Sequence, residues 1–285
     1  MPRHLQHEGG PVTRFVISDT RDVDAMNRLG LGGAAVAGGR MFTGAMALDL
    51  ATIKRLDSVE TAADEAEFCL RSVESNLAMA GFTMDDIVKI TNYVSESQYV
   101  DEVLDVLDAA FAHRTPPKRI TLVCGIAGEC RVELEVMAYR ADGGTVEIST
   151  AQGRSVAKQF IKPNTAGPSA GVITDKFVFT AASAIDPATM KRVPEAVTVK
   201  DEIAVILGRI EAVLAEDGLT LRDLTKLTAW VSQEQYRLDF AYAYAELMAP
   251  GPFPSRALFA IGLPGDCRVQ LDVIAARRDP AGKES

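Results

Sequence analysis

The stretch RITLVCGIAGECRVELEVMA at residues 119–138 returns as RALFAIGLPGDCRVQLDVIA at residues 256–275. Each begins with an arginine, crosses a glycine-centred turn, passes Cys-Arg-Val and leaves through alternating apolar residues. Alternation by two is the strand signature, because successive side chains of a strand point to opposite faces. Val132, Leu134, Val136 and Ala138 therefore share one face, assigned to the core. Arg131, Glu133, Glu135 and Met137 share the other, as do Arg268, Gln270, Asp272 and Ile274. One difference matters chemically: Glu133 in the first stretch is Gln270 in the second.

The correspondence extends well beyond these stretches. The arginines are separated by 256 − 119 = 137 positions and the Glu/Gln pair by 270 − 133 = 137. The same offset aligns MFTGA at Met41 with VFTAA at Val178, and TMDDIVKITNYVSESQY at Thr83 with TLRDLTKLTAWVSQEQY at Thr220. No gap is needed from about residue 35 to residue 140. A period this long is a duplicated domain and not a solenoid repeat. The expected boundaries are an N-terminal arm over 1–14, a first repeat over 15–142, a linker over 143–154 around the Gly-Gly of ADGGTVEISTAQG, a second repeat over 155–279 and a tail over 280–285.

Each repeat reads as β-β-α-β-α-β-β. AAVAGGRMFTGAM and GVITDKFVFTAAS are hairpins turning at Gly-Gly and Asp-Lys. Ala66, Leu70, Val73, Leu77 and Ala80 lie on one helical face, and Gly81 is a stop signal. Thr83 with Asp86, and Thr220 with Asp223, have capping-box spacing before a strand. A second helix is expected from about Ser97 to His113, ended by Pro116-Pro117 in one repeat and by Pro252 and Pro254 in the other. The fold class is α+β, a sheet covered on one face by two helices. The bare, charged face either is solvated or lines an assembly.

Composition narrows the function. At 285 residues and 47% apolar content the chain has material for two ordinary cores. A net charge of −9 with no basic run argues against a nucleic-acid partner. No apolar run has membrane-spanning length, and MPRHLQHEGGPVTRF lacks the apolar core of a secretory signal, so a cytoplasmic location is expected. Cys69, Cys124, Cys130 and Cys267 show no metal-ligand or disulfide spacing. With three histidines, two of them in the arm, neither a metal site nor a histidine triad is expected. Cys130 and Cys267 read as small buried residues, and Tyr99 and Tyr236 as helix-packing residues.

Order, spacing and pattern together resemble the reactive intermediate deaminase family, RidA/YjgF, also described as L-PSP endoribonuclease-like. The resemblance rests on AGPSAGVITDKFVFTAA, GLTLRDLTKLTAWVS and PSRALFAIGLPGDCRVQLDVIA, and on their counterparts in the first repeat. It implies two tandem chorismate-mutase-like domains, assembly of trimer-like barrels into a homo-oligomer (trimer or hexamer), and clefts between neighbouring domains. It also implies hydrolysis of enamines or imines to a carbonyl compound and ammonia, without metal or cofactor. The family's carboxylate-binding arginine falls on Arg119 and Arg256, and its last-strand acid on Glu133, reached through a turn one residue shorter. Departures are visible. The Gly-Pro-Tyr-Ser motif is Gly167–Ala170 here and lacks its tyrosine. The Ser-Gly-Gln motif becomes Gly44-Ala45-Met46 and Ala181-Ala182-Ser183. A helical asparagine is replaced near Val103 and at Phe240. A larger substrate, such as an aminomuconate-type intermediate, is expected.

The residues carry that chemistry on physical grounds. Arginine offers a planar fork of donors to the carboxylate of a substrate. Fixing the carboxylate fixes the imine carbon relative to an attacking water. Backbone groups around Thr121 or Leu258 are placed to orient that water. Glu133 can accept its proton and return it to departing ammonia. Gln270 can hydrogen-bond a water but cannot take up its proton. The expected site is thus Glu133 and Thr121 as catalytic residues, with Arg119, Arg256, Gln270 and Leu258 binding a small carboxylate-bearing substrate. An arginine before a strand more often makes a structural ion pair, and Glu133 as a partner of Arg131 stays open. A non-catalytic carboxylate-binding or chaperone-like protein is the alternative, and RNA cleavage ranks behind both because of the acidic charge.

Overall fold

A computed structural model describes residues 13–15, 23–140, 148–149, 155–156, 158–161 and 169–277. The tail over 280–285, residues 1–12 of the arm and most of the 143–154 linker, including its Gly-Gly, lie outside the described residues, as do Gly167 and Pro168. The chain divides into two compact units, Met1–Thr115 with Val123–Gly144, and Pro116–Leu122 with Thr145–Ser285.

The first sheet is built from β1 (Thr13–Phe15), β2 (Ala34–Ala37), β3 (Arg40–Met46), β6 (Ile87–Val94), β7 (Lys118–Val123) and β8 (Val132–Tyr139), in the order β1-β2-β3-β8-β6-β7. β4 (Leu48–Asp49) and β5 (Lys54–Arg55) form a small ribbon beside it. The helices are α1 (Val23–Leu29), α2 (Ala62–Met79) and α3 (Val100–Ala110). β9 (Ile148–Ser149) and β10 (Ser155–Val156) pair with each other. The second sheet comprises β11 (Gln159–Ile161), β12 (Gly171–Ile173), β13 (Phe177–Ser183), β16 (Leu224–Val231), β17 (Ser255–Ala260) and β18 (Val269–Ala276), in the order β11-β12-β13-β18-β16-β17. β14 (Ile185–Asp186) and β15 (Lys191–Arg192) form its ribbon, and α4 (Val199–Ala215) and α5 (Tyr236–Leu247) its helices. The two sheets have the same strand order, and the expected β-β-α-β-α-β-β succession stands in both. Not anticipated were the two ribbons, α1, the β9–β10 pair, β11 against β12, and the pairing of Thr13 and Arg14, assigned to the arm, into β1 against β2.

Local chemistry explains these elements. The turn between β2 and β3 places Gly38 and Gly39 at φ +53° and +68°, the left-handed pair that a two-residue hairpin needs. Thr61 and Thr198 cap α2 and α4, each accepting from the backbone N–H three residues on, while Asp64 and Asp201 return the bond. The same arrangement at Thr83, whose N–H donates to Asp86 at 2.9 Å, and at Thr220, whose N–H donates to Asp223 at 2.8 Å, starts β6 and β16. Ala66, Leu70, Val73 and Leu77 are buried, and the Phe82 N–H closes the end of α2 on Leu77 O past Gly81. The second helix is shorter than the expected Ser97–His113 because Ser97–Tyr99 is a separate 3-10 turn.

The start of the last strand is fixed by a buried acid in each unit. Glu65 of α2 has no solvent exposure. Its carboxylate accepts from Arg131 N (2.7 Å), Val132 N (3.2 Å) and Arg131 Nε (2.6 Å), and Arg55 Nε lies 3.7 Å away. Glu202 of α4 accepts from Arg268 N (2.9 Å), Val269 N (3.0 Å) and Arg268 Nε (2.7 Å). This corrects the placement of Arg131 and Arg268 on the bare face: both turn toward a helix, and the partner of Arg131 is Glu65 and not Glu133. The turn before that strand is seated on the ribbon. A Cβ on Gly265 would meet Met190 O at 2.1 Å, and one on Gly128 would meet Ile53 O at 2.9 Å, so the glycines are required by close approach as well as by positive φ.

Candidate active site

β8 carries Glu133 at its second position, facing away from the helices, since Val132, Leu134 and Val136 belong to the core cluster. Its neighbours across the sheet are Met46 on β3 and Tyr93 on β6. Two residues along, Glu135 stands between Gly44 and Thr91. The Tyr93 hydroxyl donates to Glu135 Oε2 at 3.1 Å. Glu133 is half-buried, and burial first, then the charge of Glu135, raises its pKa above the ordinary carboxylate value. Tyr93 is also raised, by burial and then by Glu135. Cys124, just after β7, is within electrostatic reach of Glu133, and its thiol is raised by burial and then by that acid. The face bearing these groups is open in part: Glu135 is exposed and Phe42 on β3 is 49% exposed.

The corresponding face of the second sheet is closed. Gln270, Asp272 and Trp230 are 6%, 5% and 9% exposed. Gln270 lies between Ser183 and Trp230, and Asp272 between Ala181 and Thr228. At the places of Tyr93, Glu133 and Glu135 this sheet therefore has an indole, an amide and a shorter acid.

The arginines are elsewhere. Arg256, on β17, pairs with Leu227 of β16, whose side chain is in the helix-side core. Strands in a parallel pair point matched side chains the same way, and the Arg256 guanidinium indeed lies over Phe240 (5.7 Å) and Tyr244 (5.4 Å) of α5. It is thus on the face opposite Gln270, with β16 between their strands and three register positions between their rows. The structure does not bring Arg256 and Gln270 together within one sheet. Arg119, at the same offset in β7, is half-buried and Thr121 is buried. Leu258 is half-buried, and its carbonyl already accepts from Arg237 Nη2 at 3.2 Å.

Cys130 and Cys267 are buried small residues, as expected. Burial raises the Cys130 thiol to about 11, and burial with the Glu202 charge raises that of Cys267 still further. Tyr99 and Tyr236 pack against their helical cores. A cavity of about 390 Å³ in the second unit is lined by Arg192, Ser232, Tyr236, Asp266 and Arg268, among others, and by none of the predicted site residues. Its arginines are already engaged by Asp266 and Glu202. Among the described residues no cluster of His, Cys, Asp or Glu is arranged to hold a metal ion, and no helix is long and apolar enough to cross a membrane.

Sequence reasoning put Glu135 on the face of Glu133 without giving it a role, and it missed Tyr93 as their neighbour. The available signal was the row in which the offset-matched residues all change: Tyr93 to Trp230, Glu133 to Gln270 and Glu135 to Asp272.

Comparison with curated proteins gives no match. Among solved structures, a Rid-family protein of unknown function, YyfA from Yersinia pestis, is 24% identical over 42% of this chain and 99% of its own, with a TM-score of 0.38. A YjgF/YER057c/UK114 family member from Mycobacterium tuberculosis is 25% identical over 45% of this chain and 99% of its own (TM-score 0.36). E. coli TdcF with bound serine is 24% identical over 41% and 93% (TM-score 0.36). The sequence model of the Endoribonuclease L-PSP family matches residues 34–140, the span from β2 to the end of β8. Residues 34–140 are thus a region similar to the Endoribonuclease L-PSP family, also known as RidA/YjgF.

Proposed function

We propose that the chain is a cofactor-independent enamine/imine deaminase acting on a carboxylate-bearing substrate. The family includes imine and enamine deaminases. The observation that carries the reading is Glu133, a half-buried acid of raised pKa on a partly open sheet face. Raising a carboxylate above its ordinary value moves it in the direction that general acid–base catalysis calls for. In the reaction, water oxygen bonds to the imine carbon as Glu133 takes the water's proton. Glu133 passes that proton to the imine nitrogen, and as the C–N bond of the tetrahedral adduct breaks it carries the adduct's hydroxyl proton to the same nitrogen, so that the C=O bond forms and ammonia leaves. Arg119 holds the substrate carboxylate, and the backbone near Thr121 orients the water. A larger substrate, of aminomuconate type, suits the missing pocket tyrosine.

Because Arg256 and Gln270 stand on opposite faces, an arginine and a last-strand side chain serve one substrate only when they come from different sheets. This favours a homo-oligomer, trimeric or hexameric, with trimer-like barrels, in which residues 15–142 and 155–279 act as domains. The exposed edge of β17, with Phe259 54% exposed, is a surface that an additional copy would cover. The four free cysteines fit a reducing cytoplasm.

The test is ammonia release from enzymatically generated imino acids. Glu133→Gln is expected to lose about 10²–10⁴ in turnover, the range for removing a general acid–base group. Arg119→Ala is expected to lose most activity, and Arg256→Ala to keep much of it. Full activity in Glu133→Gln refutes the mechanism. Equal losses in the two arginine variants, both correctly assembled, refute the assignment of the substrate carboxylate to Arg119 over Arg256. The second reading, a carboxylate binder without turnover, is favoured by the second sheet keeping an arginine, Arg256, while its last strand carries the amide of Gln270. Its signature is calorimetric binding of 2-oxo acids with no ammonia released.

A further inference from the structure

Glu133 shares its face of the first sheet with a second acid, and the two are not equivalent. Glu135 follows two residues later on β8 and accepts a hydrogen bond from the Tyr93 hydroxyl at 3.1 Å. Tyr93 is also the direct cross-strand neighbour of Glu133. One side chain thus stands beside the first acid and is bonded to the second. We propose that Tyr93 and Glu135 are positioning residues for Glu133: the phenol anchors Glu135 as the carboxylate of the pair, so that Glu133 is the member that carries the exchangeable proton. This rests on the deaminase reading and deepens it, by naming what sets the proton affinity of the acid.

The surroundings leave the assignment to these groups. β6 presents Tyr93 and Lys89 to this face, Lys89 opposite Met137 at the far side of Glu135. Cys124 approaches from the end of β7. β3 contributes Arg40, at the far end over the Tyr139 ring, and Phe42, Gly44 and Met46, none of which titrates. The helices pack on the other face through Leu134 and Val136. A carboxylate that accepts a hydrogen bond is favoured in its charged form, and a like charge nearby disfavours ionisation of its neighbour. Two acids driven apart in this way take different roles, one as proton carrier and one as fixed charge. The directions agree: Glu133 is raised, with the Glu135 charge as the cause after burial. The second sheet differs at all of these places, with Trp230, Gln270 and the shorter acid Asp272, and Ile261 at that of Cys124.

The experiment follows the side-chain carboxyl carbons of Glu133 and Glu135 by NMR as pH is varied, in the full chain labelled with carbon-13 glutamate. Wild type, Tyr93→Phe and Glu135→Gln are compared. Tyr93→Phe removes one oxygen and keeps the ring, and Glu135→Gln is isosteric and supplies a second route if the first variant misfolds. In Tyr93→Phe the Glu133 midpoint is expected to fall, because Glu135 then competes for the first proton. In Glu135→Gln the Glu133 midpoint is expected to fall with the loss of the neighbouring charge. Turnover of generated imino acids in Tyr93→Phe should drop roughly tenfold, short of the loss for removing the acid itself. The limb of the pH–rate profile set by Glu133 should move downward, with KM unchanged. An unmoved Glu133 midpoint in folded variants overturns the proposal, and so does a KM effect with an unchanged pH profile. Inactivity toward every imino acid tested, with the midpoints moving as described, instead rejects the deaminase reading and leaves the proton placement standing.

Discussion

Replacing Glu202 with leucine removes the acid that ties α4 to the start of β18. The carboxylate is fully buried and accepts from Arg268 N, Val269 N and Arg268 Nε at 2.9, 3.0 and 2.7 Å. Hydrogen bonds to a charged group contribute about 1.5–3 kcal/mol each when measured singly. Three cannot be summed here, because folding already bears the cost of desolvating the carboxylate. Removing one partner of a buried ion pair, which strands the other charge, costs about 3–5 kcal/mol. Arg268 keeps its bonds to Ala196 O and Val197 O, so it is not wholly stranded, and the lower half of that range is expected. Against a urea dependence of about 2 kcal/mol per molar, this moves the midpoint down by roughly 1.5–2 M. Trp230, the sole tryptophan, lies on β16 opposite Gln270 of β18, so its fluorescence follows unfolding of the second unit. The double variant Glu202→Leu/Arg268→Met should recover much of the loss, since a buried pair replaced by apolar groups is often neutral. A midpoint shift below about 0.3 M for Glu202→Leu, or a double variant no more stable than the single one, refutes the reasoning.

Glu133→Gln should raise the melting temperature at pH 7, with the advantage vanishing below the ordinary glutamate pKa of 4.5. The sign follows from a pKa raised in the folded state: its stabilisation is complete below the unfolded value and is lost as pH rises through the folded one. Thermal unfolding from pH 4 to 8 checks this. Gly265→Ala should destabilise the second unit far more than Gly218→Ala. Both have positive φ, but only Gly265 has a carbonyl, that of Met190, at 2.1 Å from the new Cβ, while Gly218 has open space. For Gly218 a cost of about 1 kcal/mol is expected from conformation alone, and parallel urea titrations compare the two. Of the four thiols, Cys124 alone is not buried. A disulfide-exchange reagent at neutral pH should therefore find one slow-reacting native thiol, abolished in Cys124→Ser, and four after denaturation.

Periodicity found what depends on neighbours in sequence. The strand face of Val132, Leu134, Val136 and Ala138 is the core face, and the Thr83 and Thr220 capping boxes are where their spacing put them. It failed where position depends on distant partners. Counting by two backward from Glu133 put Arg131 on its face, but Arg131 precedes the first strand residue and obeys Glu65 instead. A charged residue with no exposure, on the buried side of an amphipathic helix, contradicts the usual polarity rule. Its signal lay in the duplication: Arg55, Glu65 and Arg131 all recur unchanged as Arg192, Glu202 and Arg268. The face occupied by Arg256 was not legible either, because the register of an edge strand is set by its pairing with β16 and by no local pattern.

The closed face of the second sheet limits what can be placed there. With Trp230 beside Gln270 and hardly any solvent at either, what that face tolerates is set by how well bulky groups fit. A glutamate at position 270 would enter surroundings that resist its ionisation, without the phenol that Tyr93 supplies in the first sheet. Gln270→Glu is therefore expected to weaken the fold, and copying one residue of the first sheet into the second does not copy its environment.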